Sequence, residues 1–308
     1  MHDPRVMPAD RPVIGIFFMV GFCAFAPLSD ATLKLLGETI PLLEVLVVRF
    51  AVQALLILPL VCWGGRSLAL TPRVLWLTAL RTVLQILGLG AMFASLRFLP
   101  LAEAVAIAYV MPFILLLLGR MVLKEEVGPR RLAACVVGFI GTLLVIQPSF
   151  SVIGAPALLP LVVAVVFSLY ILVTRQIARD ADPVVLQGVS GLMGTVGLAV
   201  LFVMTAGSEL PGLGMVTPNG TEVLMLIAVG VLGTLSHLLM TWSLRFAPSA
   251  TLAPIQYLEI PFATLIGWLI FRDLPNGLAA AGIVVTVAAG LYIVYRERLV
   301  VEPVPQES

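Results

Sequence analysis

Long runs of apolar residues, separated by short polar turns, fill the chain from residue 13 to residue 295. They do not alternate with the period of two that barrel strands need. They are continuous and roughly 20 residues long, the length a helix needs to cross the hydrocarbon of a bilayer. Ten such helices are predicted: 13–33, 41–63, 73–95, 101–121, 130–147, 155–174, 183–206, 222–244, 249–271 and 277–295. Turn chemistry marks the connections: GGRS at 64–67, QPSF at 147–150, DADP at 180–183, and the longer GSELPGLGMVTPNG at 207–220. No small-residue cleavage site precedes the first run, so it is expected as a retained span rather than a signal peptide.

One stretch is written twice. LRFLPLAEAVAIAYVMPF at 96–113 returns as LRFAPSATLAPIQYLEIPF at 244–262, about 148 positions on. Leu96, Arg97, Phe98, Pro100, Ala102 and Tyr109 reappear as Leu244, Arg245, Phe246, Pro248, Ala250 and Tyr257; one residue slips in before Pro112-Phe113 returns as Pro261-Phe262. An internal repeat of this kind decides the fold. Each copy holds five predicted spans, an odd number, so the second copy enters the membrane inverted. Inverted repeats build alternating-access carriers with the substrate site at the midplane between the halves. The expected organisation is a first repeat at 11–148, a second at 155–296, and a cytoplasmic tail at 297–308.

Composition agrees with a chain dissolved in lipid. Hydrophobic residues make up 60% and charged residues 11%, against about 25% charged in soluble domains. With both termini in the cytoplasm, thirteen Lys and Arg fall inside (among them Arg66, Arg73, Arg175 and Arg245) and three outside: Lys34, Arg97 and Arg272. That bias fixes the expected orientation, in a bacterial inner membrane. A net charge of +1 leaves no electrostatic footprint for nucleic acid. Cys23, Cys62 and Cys135 sit in apolar runs without CxxC spacing, and no cofactor or metal is expected.

With ten helices in two repeats, the chain resembles the drug/metabolite transporter superfamily, EamA family. The resemblance rests on SDATLK at 29–34, VVRF at 47–50, the 96–113 hairpin, LKEEVGPRRLAACVVGFIGTLLVIQP at 123–148 and LIFRDLPNGLAAAGIVVTVAAGLYIV at 269–294. Asp273 stands at the acidic position near that of Glu125. The second copy departs from the first: Thr286 and Ala289 replace Gly138 and Gly141. The resemblance implies an all-α membrane transporter for a small organic metabolite. The family includes exporters of amino acids and importers of vitamins and nucleoside-like compounds.

Charged groups at membrane depth cost about 2.5–3.5 kcal/mol each on insertion scales, so they face a cavity or a partner. Arg49 and Gln53 lie four apart on one face of the second span. Arg49 is expected either to meet a carboxylate of the substrate or to pair with Glu44, Asp30 or Glu103. Arg81, Gln85 and Gly88 form a polar stripe on the third; Arg81 either lines the pathway or snorkels toward the headgroups. His237, Thr241 and Arg245 share a face of the eighth, beside Ser236. Gln256, Tyr257 and Glu259 sit near the middle of the ninth. Substrate-pathway candidates are thus Arg49, Gln53, Arg81, Gln85, Tyr109, Ser236, Gln256 and Tyr257.

Glu259 and His237 are candidates for proton coupling, because a carboxyl group in a low dielectric and an imidazole can both exchange a proton near neutrality. A plain Glu–His or Glu–Arg contact is the alternative. Pro112 and Pro261 are the expected hinges. Asp30 and Lys34 are expected to pair at the interface. Glu125/Glu126 with Arg130/Arg131 form an expected cytoplasmic turn. The small-residue stripes Gly138/Gly141 and Gly188/Gly191/Gly194 allow close helix approach, within a monomer or in a homodimer.

An intramembrane enzyme would want a nucleophile–base pair or a metal cluster, and the chain has two histidines and neither HExxH nor GxSxG. A passive channel or scaffold has no need of exchangeable halves. No P-loop is present, so ATP is not the direct energy source. The expected function is a secondary carrier with an amino-acid-like substrate. The alternative is an importer of a vitamin or nucleoside-like metabolite such as riboflavin or S-adenosylmethionine.

Overall fold

A computed structural model describes residues 11–67, 69–124, 128–205, 212, 214, 216–273 and 277–300. Glu125, Glu126 and much of the 207–220 connection lie outside the described residues. The first half holds α1 (Pro12–Leu36), α2 (Leu42–Trp63), α3 (Pro72–Leu96), α4 (Leu101–Ala108), α5 (Met111–Val122) and α6 (Pro129–Ile153). After a 3-10 turn at Ala155–Leu158, the second half holds α7 (Leu159–Ile177), α8 (Pro183–Thr205), α9 (Gly220–Phe246), α10 (Ser249–Gln256), α11 (Glu259–Phe271) and α12 (Gly277–Val300). No strand occurs among the described residues.

Three helices start where a side chain accepts from their free N–H groups. Thr71 accepts from the Val74 N–H at 3.3 Å ahead of α3. Asn219 and Glu222 form a reciprocal capping box on α9. The Asp182 carboxylate accepts from the Val184 N–H at 2.8 Å. Two connections turn through left-handed glycines, Gly65 (φ 61°) and Gly154 (φ 73°). The second corrects an expectation: QPSF at 147–150 is not a turn. Helix α6 runs on to Ile153, and the reversal waits for Gly154, the residue whose φ permits it. The expected tail likewise begins inside α12, which continues to Val300.

Two predicted spans are each broken in two. α4 ends at Ala108 and α5 begins at Met111; α10 ends at Gln256 and α11 begins at Glu259. Pro112 and Pro261 donate no N–H, and their rings press on the carbonyl four residues back. The ladder therefore fails upstream of each proline, at Tyr109–Val110 and Tyr257–Leu258, not at the prolines themselves. Bonds to the third residue back bridge both gaps: Val110 N–H to the Ile107 carbonyl (3.4 Å) and Leu258 N–H to the Ile255 carbonyl (3.0 Å).

Packing joins the two halves. α1 lies on α9, α2 on α8, α3 on α7, α4 on α11, α5 on α10, and α6 on α12. Matching α1–α6 with α7–α12 in order and exchanging the halves maps this pairing onto itself. The stripe Gly188/Gly191/Gly194 is spent inside the molecule. It lets α8 settle onto α2, where a Cβ at Gly191 would fall 2.9 Å from the Ala54 nitrogen, and Phe50 lies against Gly194.

Seven helical stretches are long and apolar enough to cross a membrane, and shorter apolar ones run at Leu132–Leu144, Glu259–Phe271 and Ala280–Ala289. Large apolar side chains such as Phe17, Leu55 and Met121 point outward, and Trp63 and Trp76 stand exposed beside one surface, as in an interfacial aromatic belt. This is a multi-pass membrane protein whose outer surface is solvated by lipid.

The glycine contact predicts a contrast within one helix. Gly191→Leu should destabilise the detergent-purified protein by about 1–3 kcal/mol, the usual range for overpacking, seen as a lower thermal-unfolding midpoint. Gly197→Leu, where a Cβ meets nothing within 4 Å, should leave that midpoint in place.

Candidate functional site

The two helix breaks meet in the middle of the molecule. The Tyr109 and Tyr257 rings lie 5.7 Å apart between centroids. Beside them is a cavity of about 60 Å3, room for a few waters. Tyr109 and Glu259, both at the breaks, face into it, as do Ser29 and Asp30 from α1, Arg49 from α2, and Ser236 and His237 from α9.

Arg49 enters from the second span. Its Nη1 donates to the Ser29 hydroxyl at 3.0 Å and to the Val229 carbonyl at 3.3 Å, while its Nε has no hydrogen-bond partner among the described residues. The guanidinium lies directly over Gly233, where any Cβ would collide with it. Glu259 accepts from the Tyr109 hydroxyl. His237 stacks on Phe167 at 6.0 Å and 26° and meets the edge of Phe22 at 6.4 Å. The cavity thus combines a flat aromatic wall with a cation, two carboxyl groups and three hydroxyls.

A second polar cluster lies deeper, toward the face that carries the start of α1 and the end of α9. Arg81 is fully buried, so it does not snorkel. It donates to Thr174 (3.0 Å), Ser190 (3.1 Å), Tyr170 (2.9 Å), Gln187 (2.7 Å) and Thr241 (3.1 Å). The Thr174 and Thr241 hydroxyls spend their own hydrogens on carbonyls one turn back, leaving lone pairs for the arginine. Tyr170 also reaches the His237 Nδ1 at 3.1 Å, so the cluster and the cavity touch.

Of the pathway and coupling candidates, Arg49, Tyr109, Ser236, His237 and Glu259 converge on the cavity. Gln53 instead donates to the Gln187 carbonyl at 2.8 Å, Arg81 sits in the deeper cluster, and Tyr257 turns away to donate to the Cys135 carbonyl at 3.3 Å across Gly138. Gln85 and Gln256 are buried off the cavity wall, and their amides have no hydrogen-bond partner among the described residues. Glu44 accepts from the Val216 N–H at 3.0 Å.

The expected Asp30–Lys34 pair is corrected. Lys34 reaches Asp273 at 4.0 Å, donates to the Leu99 carbonyl at 3.1 Å and lies over the Phe271 ring, while Asp30, a turn deeper, faces the cavity. Sequence reasoning missed Ser29, Phe167, Tyr170, Gln187 and Gly233. Tyr170 and Thr174, four apart in an apolar run, were a visible polar stripe; a glycine that seats an arginine from another helix leaves no local signal.

Comparison with known proteins places this geometry. A sequence profile described as the EamA-like transporter family matches residues 13–147 and 154–296. A riboflavin transporter of Rhizobium johnstonii is 31% identical over 222 residues, covering 72% of this chain and 71% of that one. An S-adenosylmethionine uptake transporter of Rickettsia prowazekii is 24% identical over 292 residues, 91% and 94% of the two chains. A riboflavin transporter of Brucella anthropi is 26% identical over 281 residues, 91% and 98%. A solved crystal structure with 19% identity superposes with a TM-score of 0.70 over 94% of this chain and 98% of its own, which is a likeness of fold.

The bare backbone at Gly233 gives a test of how Arg49 is held. Gly233→Ala should push the guanidinium off its seat and lower substrate affinity by roughly 10- to 100-fold, the equivalent of 1–3 kcal/mol of overpacking. Equilibrium binding on purified protein checks this. Unchanged affinity would show that the placement of Arg49 is immaterial to binding.

Proposed function

The chain belongs to the EamA-like transporter family, and from that premise we propose that it is a secondary carrier importing a flat heterocyclic metabolite, with riboflavin the first candidate, across a bacterial inner membrane. The observation that carries this reading is the cavity itself: an aromatic wall, hydrogen-bond donors and carboxyl groups gathered where two broken helices meet. A flavin suits such a lining. Its ring stacks on aromatic side chains, and its pyrimidinedione edge presents carbonyl acceptors on either side of an N–H donor. Arg49 can serve the acceptors, and Asp30 or Glu259 the donor. An amino-acid-like substrate, expected from the sequence, uses the charged groups and leaves the aromatic wall idle. The relatives named as riboflavin and S-adenosylmethionine transporters favour the heterocycle as well.

The proposed architecture is ten crossings in two inverted repeats, 11–148 and 155–296, with both termini in the cytoplasm. The half-to-half pairing that survives exchange supports it, as does the gathering of Arg66, Arg73, Arg175 and Arg245 at one face. Alternating access follows, with Pro112 and Pro261 weakening the helices that must flex. The cavity holds only a few waters, so the walls part to admit a flavin, as a carrier between its open states requires. Glu259 is the proposed proton-coupling residue, because it faces the cavity and the Tyr109 hydroxyl that donates to it can follow a change in its protonation. His237 belongs to the same wall.

Expression in a riboflavin-auxotrophic bacterium that lacks its own uptake system should restore growth at low external riboflavin and permit uptake of labelled riboflavin. Failure of uptake in cells that contain the protein in their membrane, together with transport of S-adenosylmethionine, would move the assignment to the nucleoside-like class. In vesicles with an imposed pH gradient, Glu259→Gln should abolish gradient-driven accumulation and leave substrate exchange at equilibrium intact. Accumulation at the wild-type rate would remove Glu259 from coupling.

A further inference from the structure

Two buried sites share one hydroxyl group. The Tyr170 oxygen lies 2.9 Å from an Arg81 nitrogen and 3.1 Å from the His237 Nδ1. A guanidinium can only donate, so Arg81 donates to the Tyr170 oxygen. The hydroxyl hydrogen is then available to His237, and giving it to Nδ1 places the imidazole proton on Nε2. In the tautomer that uses the hydroxyl hydrogen, the chain of donors runs from Arg81 through Tyr170 to His237 and ends on a cavity-lining ring whose Nε2 is a hydrogen-bond donor.

The other end of this chain closes a path. Arg81 precedes the cavity residue Leu89 by eight positions, about 12 Å along α3. Its five acceptors come from α7, α8 and α9, so one side chain of the first half binds three helices of the second. Beyond it, the same face is tied by Arg66–Asp182 at 3.2 Å, by Arg11 N–H to the Phe246 carbonyl at 2.9 Å, and by the Ser243 hydroxyl to the Gly15 carbonyl at 2.7 Å. For a ligand in the cavity to leave through this face, the Arg81 cluster has to come apart.

We propose that Tyr170 is the positioning residue that couples the cavity to the Arg81 lock, so that an occupied cavity and a closed lock stabilise each other. A ligand carbonyl that accepts from the His237 Nε2–H polarises the ring and makes Nδ1 a better acceptor. The Tyr170 hydroxyl is polarised in turn, and its oxygen becomes a better acceptor for Arg81, which is the cooperative strengthening expected of chained hydrogen bonds in a low dielectric. Linkage makes the effect reciprocal. When the lock opens, Tyr170 is released from Arg81, the imidazole loses its fixed tautomer, and the cavity loses a preorganised donor. The ligand is thus held less tightly once the way out is open. The choice of a carbonyl-bearing ligand rests on the flavin reading above; the link between Tyr170, His237 and the lock does not.

The test is labelling of a cysteine behind the lock. Thr78 is fully buried three positions before Arg81 on α3. Thr78→Cys, in a background with the three native cysteines replaced, is exposed to a membrane-impermeant maleimide in vesicles of either orientation. Tyr170→Phe keeps the ring and removes both hydrogen bonds; a lost hydrogen bond to a charged group corresponds to about a tenfold shift in an equilibrium. Without ligand, Tyr170→Phe and His237→Ala should therefore label several-fold faster than the parent. Riboflavin should slow labelling of the parent and have no effect on Tyr170→Phe. Parent-like labelling in both variants, or full protection by riboflavin in Tyr170→Phe, would overturn the coupling. If riboflavin neither binds nor protects the parent, the flavin reading fails, while the ligand-free comparison still decides the link.

Discussion

A guanidinium group taken out of water has to find acceptors within the protein, because lipid offers none. Arg49 and Arg81 meet this constraint in opposite ways. Arg81 is saturated by neutral oxygens from three helices, so its charge is spread over dipoles and it holds the two halves together. Among the described residues Arg49 has two acceptors on Nη1 and none on Nε, and its head group rests on a bare glycine backbone beside a cavity. The first arrangement leaves little capacity for a ligand. The second leaves donors to spare at the point where a ligand would arrive. The difference lies in the surroundings: Arg81 is enclosed by hydroxyl and amide groups of three helices, while Arg49 stands at the cavity wall.

The same constraint explains why the broken helices lie at the centre. An interrupted ladder frees backbone groups that the bilayer cannot satisfy, so interruptions are tolerated only where the protein, or a polar cavity, surrounds them. Tyr109–Val110 and Tyr257–Leu258 are therefore turned toward each other and away from lipid. The prolines that cause the breaks also leave α4/α5 and α10/α11 with fewer ladder bonds than their neighbours. The least regular backbone and the candidate binding groups thus coincide.

Much of the architecture is legible in the chain because it follows from local rules. Apolar runs of membrane length, capping residues at 71, 182 and 219, and the repeated Arg-Phe-x-Pro stretch each act within a few residues. The convergence of Arg49, Tyr109, His237 and Glu259 is partly legible too, since polar side chains in an apolar run are costly and stand out. What stays hidden is set by contacts between distant segments. Lys34 leaves Asp30 for Asp273 because α1 ends beside the end of α11. Gly233 looks like any glycine until α2 lays an arginine across it. Tyr170 reads as a packing aromatic until α3 and α9 approach it from two sides. The QPSF stretch misleads for a different reason: turn-like composition is a weaker signal than the backbone freedom that only Gly154 supplies.

The repeat is exact enough to identify the two tyrosines as counterparts, yet they find different partners. Tyr257 swings outward against α6, where Gly138 leaves its backbone bare and a Cβ would fall 2.7 Å from the ring. The position that matches Gly138 in the second copy is 286, a threonine in the sequence. Tyr109 turns instead to Glu259, and no acidic residue stands at the matching place in the first copy, where Val110 and Met111 follow the tyrosine. The carboxyl group of Glu259, present in one copy alone, thus gives a near-symmetric scaffold an asymmetric polar centre. The paired packing of the halves is kept, while the polar groups at the cavity differ from one half to the other: Asp30, Arg49 and Tyr109 come from the first, His237 and Glu259 from the second.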